Sequence, residues 1–593
     1  ADGYISRIKI QMGGYGKALY LSCDDGHTAV YAHLQGFIPE IESLVWNKQW
    51  EDSSFYLDMF TETVQFPVEA GQIIGYSGRS GTTIPHLHFE IRKPYSRALN
   101  PFARGFVISD SRPPVPLKIA LIPLDAESEI DSDCKPQVFT LMKHSNNDSY
   151  KLPDTPVICG RVGFSVNCYD KTDYAPNPVA PYRCQLFIED EELFSSAFDF
   201  CAYSSSREVE LDRNPYLKRF TGDTYQNLYR SEGSNLPFYS GGGVIDTRIV
   251  SSGQKRFTII LEDYYGNQSA IEGCLDFFDF PLIPFPIEIS GADRWEQTVI
   301  AEKESFEDIK SEFFQDWIRL ETAKAVDGVR WLGSKSFELN FTQTRAGFIC
   351  RIPLNSEMDG FNFLVSPAGN VIESWYISGI SPEKGGKITA PDRNWQVYFP
   401  KNSVYDTFYA ALQIIETAEL PGNYEYASPQ GYMLEPQWIP LKRPAVLSWR
   451  GELSSGQAGI YFYNNGKMTF LGNEIYSMRI EGSCLNLETF AVLYDKIPPS
   501  LEILYPSNGA KINSDIKRFT FTAEDTLSGL NYDDMKVMID GQWTLHEYDA
   551  PIKNGFAYIR NGLAPGGHTF SVTAVDNCGN TTEKTVKFYV EQR

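Results

Sequence analysis

Apolar and polar residues alternate along much of this chain, and the alternation predicts β-strands from one end to the other. Residues 4–10 alternate, residues 18–22 form an apolar run, and residues 28–34 form the next candidate strand. Near the other end, residues 519–523 and 570–574 alternate in the same way. Because the side chains of a strand point alternately to opposite faces, a period of two marks half-buried strands. The pattern therefore predicts a mainly β fold.

Two segments follow a helical period instead. Pro39 opens the first, and acidic residues in its first turn favour a helix because of the helix dipole. Its apolar residues recur at a helical spacing: Ile41, Leu44 and Val45. Residues 55–59 then alternate as a strand. The second segment, residues 305–321, predicts one amphipathic helix.

The chain is too long for a single hydrophobic core. Its 593 residues correspond to three to five domains at about 100–200 residues each. Two linkers rich in Asp, Ser and Pro, residues 110–114 and 495–500, help to place the boundaries. We therefore predict units at residues 1–107, 115–280, 281–390, 391–494 and 497–593, of which the last four are β-rich.

A short Gly-Asn motif recurs where β-hairpins are expected. It occupies residues 266–267, 369–370 and 579–580. Gly and Asn tolerate the positive φ of a tight hairpin, and the recurrence predicts repeated β-sandwich units. With its loop at residues 525–529, the last unit resembles the bacterial immunoglobulin-like domains of cell-surface proteins. Residues 115–280 resemble the same class more loosely.

Composition narrows the partners of the protein. The net charge of −23 disfavours nucleic acid and anionic membranes, because both select for basic surfaces. No apolar run reaches the roughly 18 residues that a transmembrane helix needs, and no signal peptide is visible.

The ten cysteines contain no Cys-x-x-Cys pair. One or two disulfides are possible among six of them, with a connectivity that the sequence does not give. These six are Cys134, Cys159, Cys168, Cys184, Cys201 and Cys274. The other four are interpreted as buried small hydrophobes.

One stretch, residues 71–92, carries candidate chemistry because it contains the pair His86-Leu87-His88 after a glycine-rich turn. Alternation over residues 87–91 predicts a strand, so both imidazoles should point to one face, about 6–7 Å apart along the chain. Imidazole binds zinc and transfers protons near neutral pH. A His-x-His pair alone is weak evidence of function.

Further motifs around this stretch occur in an order known from one family. They are Tyr31-Ala32-His33-Leu34, then Val68, Gly71, Ile74 and Gly75, then Pro85-His86-Leu87-His88-Phe89-Glu90, and finally Asn100-Pro101. In these motifs residues 1–107 resemble the LytM/lysostaphin-type zinc peptidases, the M23 family. The resemblance implies an antiparallel β-sheet peptidase domain, a catalytic zinc ion and cleavage of peptide cross-links in peptidoglycan.

The resemblance also implies roles for three histidines. His88 would be a zinc ligand, and His33 and His86 would be a catalytic pair that deprotonates the attacking water and stabilises the oxyanion. The family's remaining ligands come from a His-x-x-x-Asp motif that is absent at the corresponding place. We expect that the N-terminus is truncated and that this chain binds zinc weakly or not at all. Residues 144–148 have the same His-x-x-x-Asp spacing but are expected to form a hairpin turn.

Residues 36–66 form an insert that is longer than the family needs between its motifs. The insert either walls one side of the substrate groove or is a surface flap without a substrate role. The sequence favours neither alternative.

Three functions follow as hypotheses. The first is a bacterial, extracytoplasmic zinc endopeptidase that acts on peptidoglycan peptides, with a β-sandwich tail that serves as a spacer or contacts other cell-envelope proteins. The second is a non-catalytic LytM-like module that binds murein or activates a separate hydrolase. The third is an adhesion or scaffold protein with a vestigial N-terminal module. The three histidines favour the enzyme.

Overall fold

Strands dominate the structure, a computed structural model that describes residues 1–591 except 64, 94–96, 145–147, 280, 282, 290–308, 421 and 465. The prediction of a mainly β fold is confirmed. The α-helices of the described residues are α1 (Pro39–Glu51), α2 (Val209–Asp212) and α3 (Pro215–Thr221). No helix in this part of the chain has the length and apolarity needed to cross a membrane.

The first region is built on one antiparallel sheet. Its strands are β1 (Gly3–Ile10), β2 (Lys17–Cys23), β3 (Thr28–Ala32), β4 (Leu34–Phe37), β5 (Leu57–Phe60), β6 (Pro67–Val68), β7 (Gly75–Ser77), β8 (His88–Lys93) and β9 (Arg97–Leu99). The sheet runs in the order β9-β8-β3-β2-β1-β5, with β6 also beside β1, whereas β4 pairs only with β7. The apolar inner face of β1 and β2 packs against α1, so the predicted helix and the strand after it are confirmed.

The insert that contains α1 is a docking surface for the last region of the chain. Trp46 and Trp50 of α1 contact Tyr558 and Trp543, with ring centroids 5.8 and 5.4 Å apart. Leu545 lies in the same hydrophobic core and is 1% exposed. Neither sequence alternative for the insert included this contact, and a role in walling a groove stays a prediction.

The second region is a β-sandwich. Its strands are β10 (Val115–Pro123), β11 (Glu129–Ile130), β12 (Gln137–Thr140), β13 (Met142–Lys143), β14 (Ser149–Lys151), β15 (Val157–Cys159), β16 (Arg161–Tyr169), β17 (Arg183–Ile188), β18 (Glu191–Ala197), β19 (Phe200–Ala202), β20 (Gln226–Asn227), β21 (Tyr239–Gly241), β22 (Ile245–Asp246), β23 (Gly253–Glu262) and β24 (Gln268–Phe278). One sheet has the order β12-β10-β16-β20 and the other β11-β15-β24-β23-β17-β18-β21. Ile119 and Phe164 from the first sheet meet Leu186 and Phe257 from the second in a shared core.

Two sequence interpretations fall within this sandwich. Strands β13 and β14 pair as the arms of a hairpin around residues 144–148, whose residues 145–147 lie outside the described residues. All ten cysteines are free thiols, so the disulfides that the spacing allowed are not formed. Cys184 is buried in the sandwich core, Cys134 belongs to a separate cluster and Cys201 is exposed, so the six do not share one site.

The third region contains three sheets. Its strands are β25 (Ile287–Glu288), β26 (Lys310–Phe313), β27 (Trp317–Thr322), β28 (Arg330–Leu332), β29 (Phe337–Glu338), β30 (Thr342–Thr344), β31 (Gly347–Pro353), β32 (Gly360–Val365), β33 (Val371–Ile380), β34 (Gly386–Thr389), β35 (Trp395–Phe399), β36 (Phe408–Glu416), β37 (Gln430–Glu435), β38 (Pro440–Arg450), β39 (Ala458–Asn464), β40 (Lys467–Gly472), β41 (Glu474–Tyr476), β42 (Arg479–Asn486) and β43 (Thr489–Tyr494). The largest sheet, β25-β29-β28-β32-β33-β36-β37-β43-β39-β40, crosses the expected boundary at residue 390. Two separate hydrophobic cores nevertheless lie mainly on opposite sides of this boundary, with Ile380 and Ile388 in the later core and Ala411 in the earlier one. The division into two domains stays a prediction.

The helix predicted for residues 305–321 is wrong where the structure describes it. Residues 305–308 lie outside the described residues, and residues 310–313 and 317–322 are the paired strands β26 and β27. Strand β27 also pairs with β31, and all its residues except Glu321 are buried. The apolar residues Ile309, Phe313, Trp317 and Leu320 recur at spacings of three and four, so the pattern matched a helix although residues 318–321 alternate with a period of two.

The last region is a second clear sandwich. Its strands are β44 (Ser500–Tyr505), β45 (Lys511–Asn513), β46 (Arg518–Glu524), β47 (Lys536–Ile539), β48 (Gln542–Trp543), β49 (His546–Asp549), β50 (Asn554–Tyr558), β51 (Gly566–Val575) and β52 (Thr581–Glu591). The sheets have the orders β44-β46-β50-β49 and β45-β52-β51-β47-β48. The predicted alternation over residues 519–523 and 570–574 is confirmed by burial of every second residue.

The Gly-Asn motifs form hairpin turns, as predicted, but only the glycines have a positive φ. The values are 89° at Gly266, 93° at Gly369 and 84° at Gly579. Two of the asparagines use their side chains instead, because Nδ2 of Asn267 donates to the Asp110 carbonyl at 3.2 Å and Nδ2 of Asn580 donates to the Asp495 carbonyl at 2.7 Å. The motif thus ties each sandwich to its preceding linker.

Candidate active site

His33 lies at a break between two strands and not within one strand as predicted. Strand β3 ends at Ala32, and His33 has a φ of 58°, in the left-handed region that non-glycine residues rarely adopt. Its backbone N–H donates to Tyr15 O at 3.0 Å, and its Nδ1 lies 2.8 Å from Ser80 O. These contacts fix the imidazole of a residue that is 8% exposed.

The glycine-rich turn before the His-x-His pair lets the backbone come close to His33. Ser80 Oγ donates to Leu34 O at 2.8 Å, which fastens the turn beside β4. A Cβ added at Gly16 would lie 2.2 Å from Ser80 O, and a Cβ at Gly81 would lie 2.7 Å from Gly14 O. Only glycine permits this approach, which places the Ser80 carbonyl against the His33 ring.

His86 and His88 occupy different local structures, although the sequence predicted a common strand. His86 forms an isolated bridge with Gly78 and is exposed, whereas His88 opens β8 and pairs with Ala32 of β3. Even so, the structure brings all three imidazoles together. The ring centroid of His33 lies 4.7 Å from that of His86 and 5.7 Å from that of His88.

Each of the three rings has one nitrogen held by an acceptor. Nδ1 of His86 lies 2.8 Å from Ile84 O, as Nδ1 of His33 does from Ser80 O. A carbonyl oxygen can only accept a hydrogen bond, so in the neutral rings these Nδ1 atoms carry the proton. Nε2 of His88 lies 2.6 Å from the Glu90 carboxylate, so there Nε2 carries the proton. Each ring is left with one basic nitrogen: Nε2 of His33, Nε2 of His86 and Nδ1 of His88.

Glu90 is the centre of the hydrogen bonds around His88. Its Oε1 accepts from Nε2 of His88 and from the Tyr15 hydroxyl, both at 2.6 Å. Its Oε2 accepts from Nε of Arg92 at 2.7 Å and from the hydroxyl of Tyr203. The carboxylate therefore has four donors, one of which comes from the second region of the chain.

These donors determine the charge of the Glu90 side chain. Burial by itself would raise the pKa of Glu90, but hydrogen bonds from Arg92, Tyr15, Tyr203 and His88 outweigh it and lower the pKa to about 2. Burial and the bond to Glu90 raise the pKa of Tyr15 to about 12. At neutral pH the Glu90 carboxylate is therefore ionised and the Tyr15 phenol is neutral, so His88 faces a fixed negative charge.

At about 1.4 kcal/mol per pKa unit, the lowering of the Glu90 pKa from 4.5 to about 2 corresponds to roughly 3.5 kcal/mol. Solvent screening reduces the loss of stability that we expect for Glu90→Gln at pH 7 to roughly 2–3 kcal/mol. Because folding lowers the Glu90 pKa to about 2 from its usual 4.5, the stabilisation is present above pH 4.5. It is lost as the pH falls through the folded pKa. Denaturant unfolding of both proteins should therefore differ at pH 7 and coincide near pH 2.

Glu502→Gln, an exposed position on β44, is the control and should be neutral at both pH values. If Glu90→Gln lowers the free energy of unfolding equally at pH 7 and pH 2, Glu90 acts through packing and not through its charge.

The described residues supply only part of a zinc site. Nδ1 of His88 is well placed to be a zinc ligand, because the Nε2–H of the same ring is held by the Glu90 carboxylate. Metal-bound histidines are commonly oriented in this way. A catalytic zinc takes three protein ligands, and the three histidines do not form a compact set. Among the described residues, the groups of three candidate ligand atoms within 4.8 Å of one another are two aspartate clusters elsewhere: Asp110, Asp170, Asp263 and Asp495, Asp525, Asp576.

Sequence reasoning found the histidines but missed the residues around them. Glu90 and Arg92 share the strand face of His88, and the period of two over residues 88–92 was enough to include them. Tyr15 contacts His88 edge-on, with ring centroids 5.0 Å apart, but lies in an early turn. Tyr203 had no local signal, because its role depends on a contact between two regions. The remaining histidines lie elsewhere, with His546 and His568 packed in the last sandwich.

Comparison with known proteins adds no functional assignment. No family model and no curated protein matches the chain. Among solved structures, fibronectin(III)-like modules of Clostridium thermocellum CbhA are 15% identical, covering 30% of this chain and 95% of theirs, with a TM-score of 0.14. A Bacteroides ovatus glucan-utilisation protein, SGBP-B, is 10% identical over 78% of this chain and 70% of its own, with a TM-score of 0.11.

A Ca²⁺-stabilised adhesin of an Antarctic bacterium is 9% identical over 79% of this chain and all of its own, with a TM-score of 0.11. At such TM-scores these likenesses carry no argument about function. The β-sandwich architecture rests on the strand pairing and shared cores described above.

Proposed function

We propose that the first region carries the imidazole part of a zinc-dependent endopeptidase site that cleaves peptide cross-links of peptidoglycan outside the cytoplasm. The observation that supports this most is the convergence of three imidazoles, each held so that one basic nitrogen is free. Packing alone gives no reason for this arrangement, since His86 is exposed.

His33 and His86 are the proton-transferring pair in this proposal. Nε2 of either ring can accept a proton from water that attacks a peptide carbonyl and return it to the leaving amine. Between these two transfers, the protonated ring stabilises the developing oxyanion. His88 offers Nδ1 as one zinc ligand, and a bound zinc ion would polarise the carbonyl and acidify water.

The surface around His86 suits an extended peptide. Ile84, two residues before His86 in the chain, and Tyr76, on the strand that pairs with β4 after His33, are large apolar residues that are 70 and 57% exposed. Exposed apolar side chains grouped near polar ones are typical of binding grooves. The choice of peptidoglycan as the source of the peptide rests on the resemblance to the M23 family.

A second candidate function is a murein-binding or hydrolase-activating module without catalysis. The incomplete set of zinc ligands favours it, because one ligand does not hold a catalytic ion. In this case the apolar surface near His86 would bind peptide and the histidines would contribute only hydrogen bonds.

The deciding experiment is digestion of purified sacculi by the longest form of the protein that its gene encodes, with zinc or with chelator. The endopeptidase proposal expects zinc-dependent release of peptides, and His33→Ala or His86→Ala should lower the rate at least 100-fold. His27→Ala, at the turn after β2 where the side chain pairs with Asp25 at 3.1 Å, is the matched control and should act as wild type. Sacculus binding without release of peptides under all conditions would favour the second candidate and overturn the first.

The 593-residue chain itself should bind zinc weakly or not at all, because His88 is the one well-placed ligand at the histidine site among the residues that the structure describes. Equilibrium dialysis followed by metal analysis should find well below one zinc ion per chain. Stoichiometric zinc that survives dialysis would contradict the ligand assignment. In that case His88→Ala would show whether the ion lies at the histidines or at another site.

A further inference from the structure

The second region of the chain is attached to the sheet that carries the histidines. Strand β19 pairs antiparallel with the edge strand β9, so that Phe200 lies opposite Leu99 and Ala202 lies opposite Arg97. The guanidinium of Arg97 also lies 4.6 Å from the centre of the Phe200 ring. The residue directly after β19 is Tyr203, and this pairing determines where Tyr203 lies.

Asn100, the residue directly after β9, adds two hydrogen bonds to the same junction. Its backbone N–H donates to Asp199 O at 2.8 Å, and its side-chain Nδ2 donates to Phe198 O at 3.1 Å. The chain before and within β19 is therefore held by backbone and side-chain hydrogen bonds. The backbone that leads into Tyr203 is therefore fixed relative to the sheet that carries the histidines.

Tyr203 makes two contacts with the residues that support His88. Its hydroxyl donates to Oε2 of Glu90, and its ring lies against the guanidinium of Arg92, 4.5 Å from the ring centre. Arg92 also donates to Oε2 of Glu90. The Tyr203 hydroxyl thus binds Oε2 directly, and the Tyr203 ring contacts the guanidinium of Arg92, which is the other donor to Oε2.

We propose that Tyr203 is a positioning residue of the histidine site, supplied by the second region, which holds Glu90 so that His88 keeps its Nε2–H···carboxylate bond and its ring orientation. The proposal rests on the role of His88 in the proposed function. It makes the peptidase-like sheet and the following sandwich one functional unit, because the first region alone lacks this donor.

The physical reason is the geometry of a carboxylate. Oε1 of Glu90 is shared by Tyr15 and His88, and Oε2 by Arg92 and Tyr203. With both oxygens held, the carboxylate plane cannot rotate, and the Nε2–H of His88 meets a fixed lone pair. Without the Tyr203 hydroxyl, Oε2 keeps the bond from Arg92 as its support among the described residues, so the carboxylate is held less firmly and its bond to His88 opens more often.

The test is Tyr203→Phe, which removes the hydroxyl and keeps the ring against Arg92. In protein labelled with ¹⁵N-histidine, the Nε2–H of His88, assigned with His88→Gln, is expected to exchange with water slowly in the wild type. In Tyr203→Phe its exchange should be at least tenfold faster. In the longest natural form, the same variant should lower turnover about tenfold, within the 10–100-fold typical of residues that orient a metal ligand.

Tyr476→Phe is the matched control, since this tyrosine, on β41 of the third region, also donates to a carboxylate, that of Glu474, at 2.8 Å. It should change neither measurement, and an unchanged melting temperature shows that both variants fold. His88 proton exchange within twofold of wild type in Tyr203→Phe would overturn the proposal. If exchange rises while no form of the protein digests sacculi, the positioning role stands and the proposed function fails.

Discussion

Arg319→Met is expected to lower the free energy of unfolding by about 3–5 kcal/mol, the usual cost of removing one partner from a buried ion pair. Nε and Nη2 of Arg319 donate to the two carboxylate oxygens of Asp133 at 2.7 and 2.9 Å. The side chains are only 2 and 5% exposed. Asp133 belongs to the second region and Arg319 to the third, so the substitution leaves a buried carboxylate unpaired at their junction. Denaturant unfolding measures the loss.

The double variant Asp133→Leu with Arg319→Met should recover most of this loss, because it avoids the unpaired buried carboxylate. Glu321, which Arg319 also binds, is 29% exposed and keeps Lys135 as a partner at 3.8 Å. Arg256→Met is the surface control, since Arg256 pairs with Glu189 at 3.4 Å and both side chains are largely exposed. It should cost less than about 1 kcal/mol. A double variant as unstable as the single one would show that the Arg319 stem, and not the ion pair, stabilises the junction.

Sequence patterning predicted those parts of the fold that depend on local alternation. Strands β1, β46 and β51 each bury every second or third side chain on one face, and the period of two was visible in the sequence. The same reasoning failed at β26 and β27, where apolar residues at spacings of three and four extend across two short paired strands and match a helical period. Patterning thus identifies long half-buried strands better than short strands joined by a tight turn.

The candidate site was predictable in its residues but not in its geometry. The spacing of His86 and His88 suggested one strand face, yet His86 lies before the strand and reaches His33 through the turn at residues 78–81. The left-handed φ of His33 had no sequence signal, because contacts with Tyr15 and Ser80 impose it. Contacts between residues far apart in the chain depend on how distant segments pack together, and the alternation of apolar and polar residues carries no information about that packing.

The contact between the last sandwich and the first region is another contact that alternation did not predict, and its removal should have a large effect on stability. Leu545→Ala is expected to weaken this docking by about 2–5 kcal/mol, the range for truncating a buried leucine. Leu545 is 1% exposed and lies in the core of the first region, although it belongs to the last sandwich. Hydrogen exchange should report faster exchange in α1, which packs beside this core.

Two ion pairs surround the same contact, Arg79–Asp549 at 2.7 Å and Lys17–Glu547 at 3.5 Å, and both join the first region to β49. Being partly exposed, they should contribute less than Leu545, so the apolar contact is the one to remove. Leu504→Ala, at an exposed position of the same sandwich, is the control and should leave exchange in α1 unchanged. Since Arg79 lies in the turn that supports His33, undocking should also loosen that turn. Unchanged exchange in both α1 and residues 78–81 would mean that the two regions hold their structure independently.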